Sequence, residues 1–487
     1  MAVINEAVIR EIVADVVRRL TDSSATSVGP AAAAKPSPAR GRRGTFGVFQ
    51  DVNEACTAAH EAYLQLQAQG VEARRKVVRI VKEIVQQNKE QWGRIELDET
   101  KIGRLDHKIE KLEIIKFVPG VEWIQPYALS GDHGITHEEY TPFGVVGAVT
   151  PSTHSVPTLS GNIINIVAAG NAVVFNAHPS AARCAATALR TYNEAIFRET
   201  GIENIACILE QPTLETFDAI CRHELVKLLL VTGGPGVVKA AMQIGKRAIC
   251  AGPGNPPVLV DATADPVKTA RKIIQGAAYD NNLLCIGEKQ VFVVDSVADA
   301  LMNALAGNGA VRLNPGQLDR LTTAAFTITP GTGGGCAHAS VKKDLIGKDA
   351  AVLADAAGVR VAPGTQLLFA ETDAQHPFVR EEQMMPFLPI IRVRNVEDGI
   401  ERAYESELGY KHTSMIHSTN VEHMTMMARR LDTTLFIKNG PCMAGLGLGG
   451  EGYLSYSIAT PTGEGVTNPK TFCRVRRCVM VDNLRIY

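Results

Sequence analysis

Short runs of Val, Ile, Leu and Ala recur along this chain at intervals that a helix can fill, and this alternation limits the fold more than any other feature. Residues 141–150 (TPFGVVGAVT), 172–176, 204–209 and 226–232 each read as a buried strand. Between and after them, 159–169, 180–198, 214–221 and 235–245 read as helices. Strands alternating with helices predict a parallel sheet with right-handed crossovers. A second series of the same kind runs from Pro257 to about residue 438. Ahead of both, 52–70 and 72–95 read as helices. The fold class is therefore α/β, and 487 residues are enough for two or three domains.

Composition removes several functions. The net charge of −1 carries no basic excess, so nucleic acid is not an expected partner. No apolar run reaches the ~18 residues that span a bilayer. The first helix-like stretch is interrupted by Glu6, Arg10, Glu11 and Asp15, which a signal peptide would lack. Ten cysteines form no C-x-x-C, a pattern that fits a reducing cytosolic setting. The histidines and cysteines show no zinc spacing, so no metal is expected.

The N-terminus is organised differently. Residues 3–20 place Ile9, Ile12, Val13, Val16 and Leu20 on one helical face. Residues 21–46 are rich in Ser, Ala, Pro and Gly and read as a flexible linker. A short amphipathic helix on a tether has an apolar face to cover, by docking on a partner or by packing on its own domain.

Cys285 stands in YDNNLLCIGEKQ, between the helix-like 266–278 and the strand-like 291–295. A cysteine near a helix terminus can have a lowered pKa and be partly thiolate. By itself, a Cys among Leu and Ile is more often a small buried hydrophobe. Its context is the ordered series TPFGVVGAVTPSTHSVPTLSG, AAGNAVVFNAHPS, VTGGPG, AGPGNPPVLVD, NNLLCIGEKQ and EEQMMPFLPI. That series resembles the aldehyde dehydrogenase superfamily across nearly all of residues 47–480. Within it, the segment around Cys285 is similar to the CoA-acylating branch. With the N-terminal helix and linker, the chain is most similar to propionaldehyde dehydrogenases of bacterial microcompartments.

The resemblance implies two Rossmann-like α/β domains and a small β element for oligomerisation. The dinucleotide-binding domain would span 47–254, with a hairpin near 123–139. The catalytic domain would span 255–439, and 440–487 would return to an oligomerisation strand. It also implies roles. Cys285 would attack the aldehyde carbon. His154 would donate to the developing oxyanion where hydrolytic members place Asn; the alternative is a loop histidine bonded to backbone. Glu382, with Glu381 as rival, would hold the nicotinamide ribose. Pro151, Ser152 and Thr153 would line the cofactor side. Thr232, Gly233 and Gly234 would bring backbone to the pyrophosphate at a helix N-terminus, unless the glycines serve a turn with positive φ.

Ala251 falls where hydrolytic members carry a general-base Glu, and an alanine cannot take a proton from water. The thioester would then wait for a thiol, which points to CoA as acyl acceptor. The Lys and Glu that contact the adenosine ribose in hydrolytic members are missing from Asn176–Ser180. No Arg or Lys replaces them, which favours NAD and leaves NADP open. Gly445–Gly450 satisfies G-x-G-x-x-G, but no helix pattern follows, so it reads as a loop. Pro330–Cys336 is another glycine-rich loop.

The expectation is oxidation of a short aliphatic aldehyde, propionaldehyde first, with NAD and CoA, in a homodimer or homotetramer. Residues 3–20 would bind a microcompartment shell or its cargo, placing the protein in the bacterial cytoplasm within a microcompartment. The rivals are an acetaldehyde- or semialdehyde-specific acylating enzyme, a hydrolytic aldehyde dehydrogenase, and a shell scaffold without activity.

Overall fold

The computed structural model describes residues 46–329 and 338–484. The expected helix at 3–20, nearly all of the linker, and the Pro330–Cys336 loop lie outside the described residues. The chain enters through β1 (Val48–Phe49), α1 (Val52–Thr100) and α2 (Leu105–Glu113), then forms the hairpin β2 (Tyr127–Gly131) and β3 (Gly134–Pro142). Strands β4 (Val145–Thr150), β5 (Ala172–Ala177), β6 (Ala206–Leu209), β7 (Val226–Thr232) and β8 (Ala248–Ala251) follow. They are separated in turn by α3 (Ser155–Ala168), α4 (Ala182–Thr200), α5 (Leu214–Arg222) and α6 (Pro235–Met242). These six strands form one sheet in the order β1-β6-β5-β4-β7-β8, every pair parallel.

A second sheet begins at β9 (Pro257–Val260) and continues, after α7 (Pro266–Ala277), with β10 (Gln290–Val294) and β11 (Val311–Arg312). A two-stranded ribbon, β12 (Phe326–Thr329) and β13 (His338–Val341), intervenes. Strands β14 (Leu368–Glu371), β15 (Phe387–Val393), β16 (Thr413–His417) and β17 (Leu435–Lys438) complete it. Its seven strands run in parallel in the order β11-β14-β15-β10-β9-β16-β17. The two-residue strands β18 (Ile458–Ala459) and β19 (Gly465–Val466) precede β20 (Cys473–Val481). β20 pairs antiparallel with β3, giving a three-stranded sheet in the order β2-β3-β20.

The central strands are apolar because both faces are covered. β5 is buried at every residue, and β4 at every residue but Val149. Parallel strands sandwiched between helices must read this way. The three-stranded sheet is the opposite case: Tyr127, Leu129, Val475, Val479 and Val481 are all exposed.

Three local readings change. The run 141–150 divides, its first residues closing β3 and its last six forming β4, with Gly144 at φ 123° between them. The two expected helices at 52–70 and 72–95 form one element, α1, interrupted at Gly70 by φ 73° and ψ −160°. Helix α3 begins at Ser155 rather than at 159. Its first turn is rich in hydroxyls: Ser160 donates to the carbonyl of Val156, and the Thr158 hydroxyl lies within hydrogen-bond distance of the His154 carbonyl, so their polarity is met inside the helix.

Candidate active site

The carboxyl ends of β4, β5, β7 and β8 open onto a cavity of about 510 Å³. Its walls are Thr150–His154 after β4, Asn176–Pro179 after β5, Thr232–Gly234 after β7, and Ala251–Pro253 after β8. Open parallel sheets bind ligands in this position, outside the carboxyl ends of their strands. The second sheet contributes Cys285, Glu382 and Met384 to the same cavity. The structure thus brings together Cys285, His154, Glu382, Thr232, Gly233, Gly234, Pro151, Ser152 and Thr153. Glu381 does not line this cavity and Glu382 does, which separates the two rivals by position. A further cavity of about 550 Å³ lies beside Tyr279 and His107 and is lined by neither Cys285 nor Glu382.

The segment that carries Cys285 is held in an uncommon shape. Asp280, Asn281 and Asn282 have φ of 49°, 55° and 63°. The left-handed region costs a non-glycine residue roughly 1 kcal/mol or more, least for Asp and Asn. Each of the three is anchored. The Asp280 carboxylate accepts from the backbone N–H of Arg104 at 2.8 Å and from Lys111 Nζ at 2.5 Å. Asn281 Nδ2 donates to the carbonyl of Gly347 at 3.0 Å and to Asp349 Oδ1 at 2.8 Å. Asn282 Nδ2 donates to the carbonyls of Ala277 at 2.9 Å and Glu288 at 2.8 Å.

The expected lowering of the Cys285 pKa is not found. Burial pushes the thiol up to about 12, and the Glu382 carboxylate adds to the rise while Lys289 opposes it. The helix near it is α7, which ends at Ala277, so Cys285 follows a C-terminus. That end of a helix carries the negative pole, which does not favour a thiolate. The resting chain therefore holds a neutral thiol.

His154 caps α3 by position but makes no side-chain cap bond. Its ring is buried and stays neutral, its pKa lowered to about 3 by burial and by Lys111. Nδ1 lies 2.5 Å from Thr158 Oγ1, and the same hydroxyl lies 2.7 Å from the His154 carbonyl oxygen. One hydroxyl proton faces two acceptors, so its placement sets the tautomer of the ring. With that proton given to Nδ1, Nε2 carries hydrogen and can donate.

At the other end of the cavity, Gly234 is the N-cap of α6 with φ −67°, and Pro235 opens the helix. No turn with positive φ explains the glycines here. A Cβ added at Gly234 would meet nothing within 4 Å, and one at Gly233 would meet only Val237 at 3.8 Å. The space they leave faces a helix N-terminus, where backbone N–H groups attract phosphate. Thr232 spends its hydroxyl on Ser457 Oγ at 2.8 Å, which ties β7 to the returning chain.

Several residues of the site escaped the sequence. Lys111 and Lys289 are fully buried, although a lysine in an amphipathic pattern reads as solvent-facing. His412 is buried beside Gly254: a Cβ built there would lie 2.4 Å from the Cys285 carbonyl oxygen and 2.9 Å from His412 Cγ. The His412 ring is neutral, its pKa lowered to about 4 by burial and by Lys289, and its Nε2 has no hydrogen-bond partner among the described residues. No spacing rule links His412 to Cys285, because the second sheet's topology joins them.

Comparison with known proteins agrees with this architecture. The sequence profile of the aldehyde dehydrogenase family matches residues 47–450. The acetylating acetaldehyde dehydrogenase EutE of Salmonella typhimurium is 43% identical over 91% of this chain and 94% of its own length. The CoA-propanoylating propanal dehydrogenase of the same organism is 39% identical over 90% of this chain and 93% of its own. The solved propionaldehyde dehydrogenase from the fucose-utilisation bacterial microcompartment of Clostridium phytofermentans superposes with a TM-score of 0.87 at 40% identity, covering 91% of this chain and all of that one. The propionaldehyde dehydrogenase of Rhodopseudomonas palustris, solved with bound CoA and an acylated cysteine, gives 0.86 at 40% identity over 91% of this chain and 99% of that chain. With a matched profile over most of its length, relatives of this similarity and solved structures that superpose at this level, the chain belongs to the aldehyde dehydrogenase family.

Proposed function

We propose that this chain oxidises a short aliphatic aldehyde, with NAD and CoA, to an acyl-CoA and NADH through a thioester on Cys285. The observation that carries the reading is the pairing of Cys285 with Ala251 in one cavity whose only lining carboxylate among the described residues is Glu382. The Cys285 thiol gives up its proton to solvent and the resulting thiolate adds to the aldehyde carbon, giving a thiohemiacetal. His154 Nε2–H and the backbone N–H of Cys285 are the donors to its oxyanion. NAD, when bound, supplies the hydride acceptor. The open space at Gly233 and Gly234 on the N-terminus of α6 supports a pyrophosphate there; Pro151–Thr153 and Glu382 line the same cavity, and Glu382 would hold a ribose hydroxyl.

The acyl group then remains on Cys285. Ala251 is nearly buried and has no group that could activate water. The acyl group then passes to the sulfur of CoA, and the departing Cys285 sulfur takes up the proton that the CoA thiol loses, an exchange of one thioester for another. Propionaldehyde is the first substrate to try. A relative at 43% identity is an acetaldehyde enzyme, so acetaldehyde is the second. Purified protein with propionaldehyde and NAD should sustain NADH formation only when CoA is present. Without CoA it should give at most one NADH per subunit and then slow by about 10-fold or more. Equal sustained rates would make water the acceptor and remove Ala251 from the argument.

His154→Ala should lower kcat by about 100-fold or more, the usual loss for one oxyanion donor, with KM for aldehyde little changed. Thr158→Val, which cannot place a proton on Nδ1, should lower kcat in the same direction. A His154→Ala variant with wild-type kcat would leave the backbone as the only donor.

Two readings concern assembly. The exposed apolar side chains of β2 and β20 are what a homodimer or homotetramer would cover. Residues 3–20 would dock on a microcompartment shell or its cargo, as the amphipathic pattern and the source of a structural relative support. Deleting residues 1–20 should leave kcat unchanged and release the protein from isolated microcompartments.

A further inference from the structure

His154 stands at the N-cap of α3 and leaves the capping to another residue. His178 and His376 also open short helical turns, and both cap them. His178 Nδ1 accepts the backbone N–H of Ser180 at 3.2 Å, and His376 Nδ1 accepts that of Phe378 at 3.3 Å. In each case the N–H lies two residues after the histidine. The corresponding N–H at His154 belongs to Val156, and it donates instead to Glu96 Oε2 at 2.9 Å. The His154 ring is left without that bond, and its Nδ1 lies 2.5 Å from Thr158 Oγ1.

Glu96 comes from α1, sixty residues before Val156, and is only 1% exposed. A buried carboxylate needs partners for its oxygens. Oε2 has the Val156 N–H, and Oε1 accepts from Lys108 Nζ at 2.9 Å. The N–H at a helix start prefers this carboxylate to an imidazole, because the bond is charge-assisted and lies at the positive pole of the helix. One turn further along α1, Glu99 accepts from the N–H groups of Arg183 and Cys184 at 2.8 and 2.6 Å and so caps α4. There the N-cap is Ala181, whose side chain has nothing to offer. At α3 the N-cap side chain is of a kind that caps elsewhere in this chain, so the bond from Glu96 has a second effect: it releases the ring.

A ring tied through Nδ1 to Val156 would be turned onto the end of its own helix. Beside Thr158, it lies against the ring of Tyr456, with centroids 5.5 Å apart, and the Tyr456 hydroxyl donates to the Lys111 carbonyl at 2.9 Å. His154 is held in this way while it lines the cavity that also contains Cys285. We propose that Glu96 is a positioning residue for the oxyanion donor: by taking the Val156 N–H it keeps the His154 ring in the orientation that presents Nε2 to the reacting oxygen. The inference rests on His154 being that donor.

The test compares two double variants of the full chain, both without the buried charges. Glu96→Gln with Lys108→Met keeps an acceptor for Val156, and Glu96→Leu with Lys108→Met has none. NADH formation is followed with CoA, NAD and the better of propionaldehyde and acetaldehyde. The glutamine pair should keep kcat within about 3-fold of wild type, and the leucine pair should lose about 10-fold or more, with KM for aldehyde little changed. With His154→Ala added, the two pairs should have the same kcat, because no ring is left to place. Equal kcat for the two pairs with His154 present, or a difference that survives His154→Ala, overturns the proposal. If either pair does not fold, Glu96→Asp decides, since it keeps a charge for Lys108 and shortens the reach to Val156. It should lower kcat only where His154 is present; wild-type kcat, or a loss that persists with His154→Ala, overturns the proposal. A wild type that forms no NADH, or His154→Ala alone at wild-type kcat, removes the donor assignment itself and the proposal with it. Once both of those are passed, only the comparison at position 96 bears on Glu96.

Discussion

Cys285→Ala is expected to lower kcat/KM for aldehyde oxidation by about 10,000-fold or more while leaving the fold intact. The side chain is partly buried against the core and no hydrogen bond is donated by its thiol among the described residues, so its loss removes chemistry and little stability. The check is NADH formation with CoA, alongside the intact mass of protein incubated with aldehyde and NAD alone. Wild type should gain one acyl group per chain, and the alanine variant none. The other thiols near the site are not placed to substitute: Cys250 and Cys442 are buried and, unlike Cys285, do not line the cavity. A variant retaining a tenth of wild-type activity would sink the assignment.

The largest effect on stability is expected from Lys111→Met, a loss of about 3–5 kcal/mol in denaturant unfolding. Lys111 and Asp280 are both fully buried, and the same ammonium donates to the Thr153 carbonyl at 3.2 Å. Burial works against the Asp280 carboxylate, but Lys111 and Lys108 outweigh it and hold it below the usual carboxylate range. Removing Lys111 leaves that charge without compensation. Lys111→Met with Asp280→Asn should recover part of the loss, because no lone charge then remains. The sign with pH follows from the lowered carboxyl. The pair's contribution is present above the unfolded pKa of Asp and is lost as pH falls through the folded value. The variant should therefore lose less stability on acidification than the wild type. Since Lys111 bridges the Thr153–His154 segment and the turn before Cys285, kcat should fall as well. An unchanged unfolding midpoint would remove the ion pair from this role.

The two sheets were legible because their strands are covered on both faces and so read as unbroken apolar runs. The break at Gly70 was legible for a similar local reason, as a gap between two helical patterns. Cys285, Glu382 and the Gly233–Gly234 turn came from the order of motifs along the chain, not from any one of them. What stayed hidden depends on distant partners. Asp-Asn-Asn permits a left-handed turn, but Lys111 and Gly347 select it, and they stand 169 and 66 residues from their partners. The start of α3 was obscured because hydroxyls that read as a loop are bonded within the helix. The direction of the Cys285 shift failed because a helix terminus has a sign, and the sequence did not show which end would face the thiol.

β20 has a consequence for how the protein must be handled. It lies at one margin of its three-stranded sheet, so the outer N–H and C=O groups of a nine-residue strand are available for pairing. Such a margin is a template for adding strands from other chains, and charge is a common way to discourage it. Arg477 is paired with Glu138 across the sheet, but Arg474 and Arg476 are exposed along it. Their repulsion weakens as salt shortens the screening length, to about 3 Å at 1 M. Separated subunits should therefore cluster as ionic strength rises, and light scattering across a salt series should register it. A flat response would mean that the arginines are not what keeps this margin free.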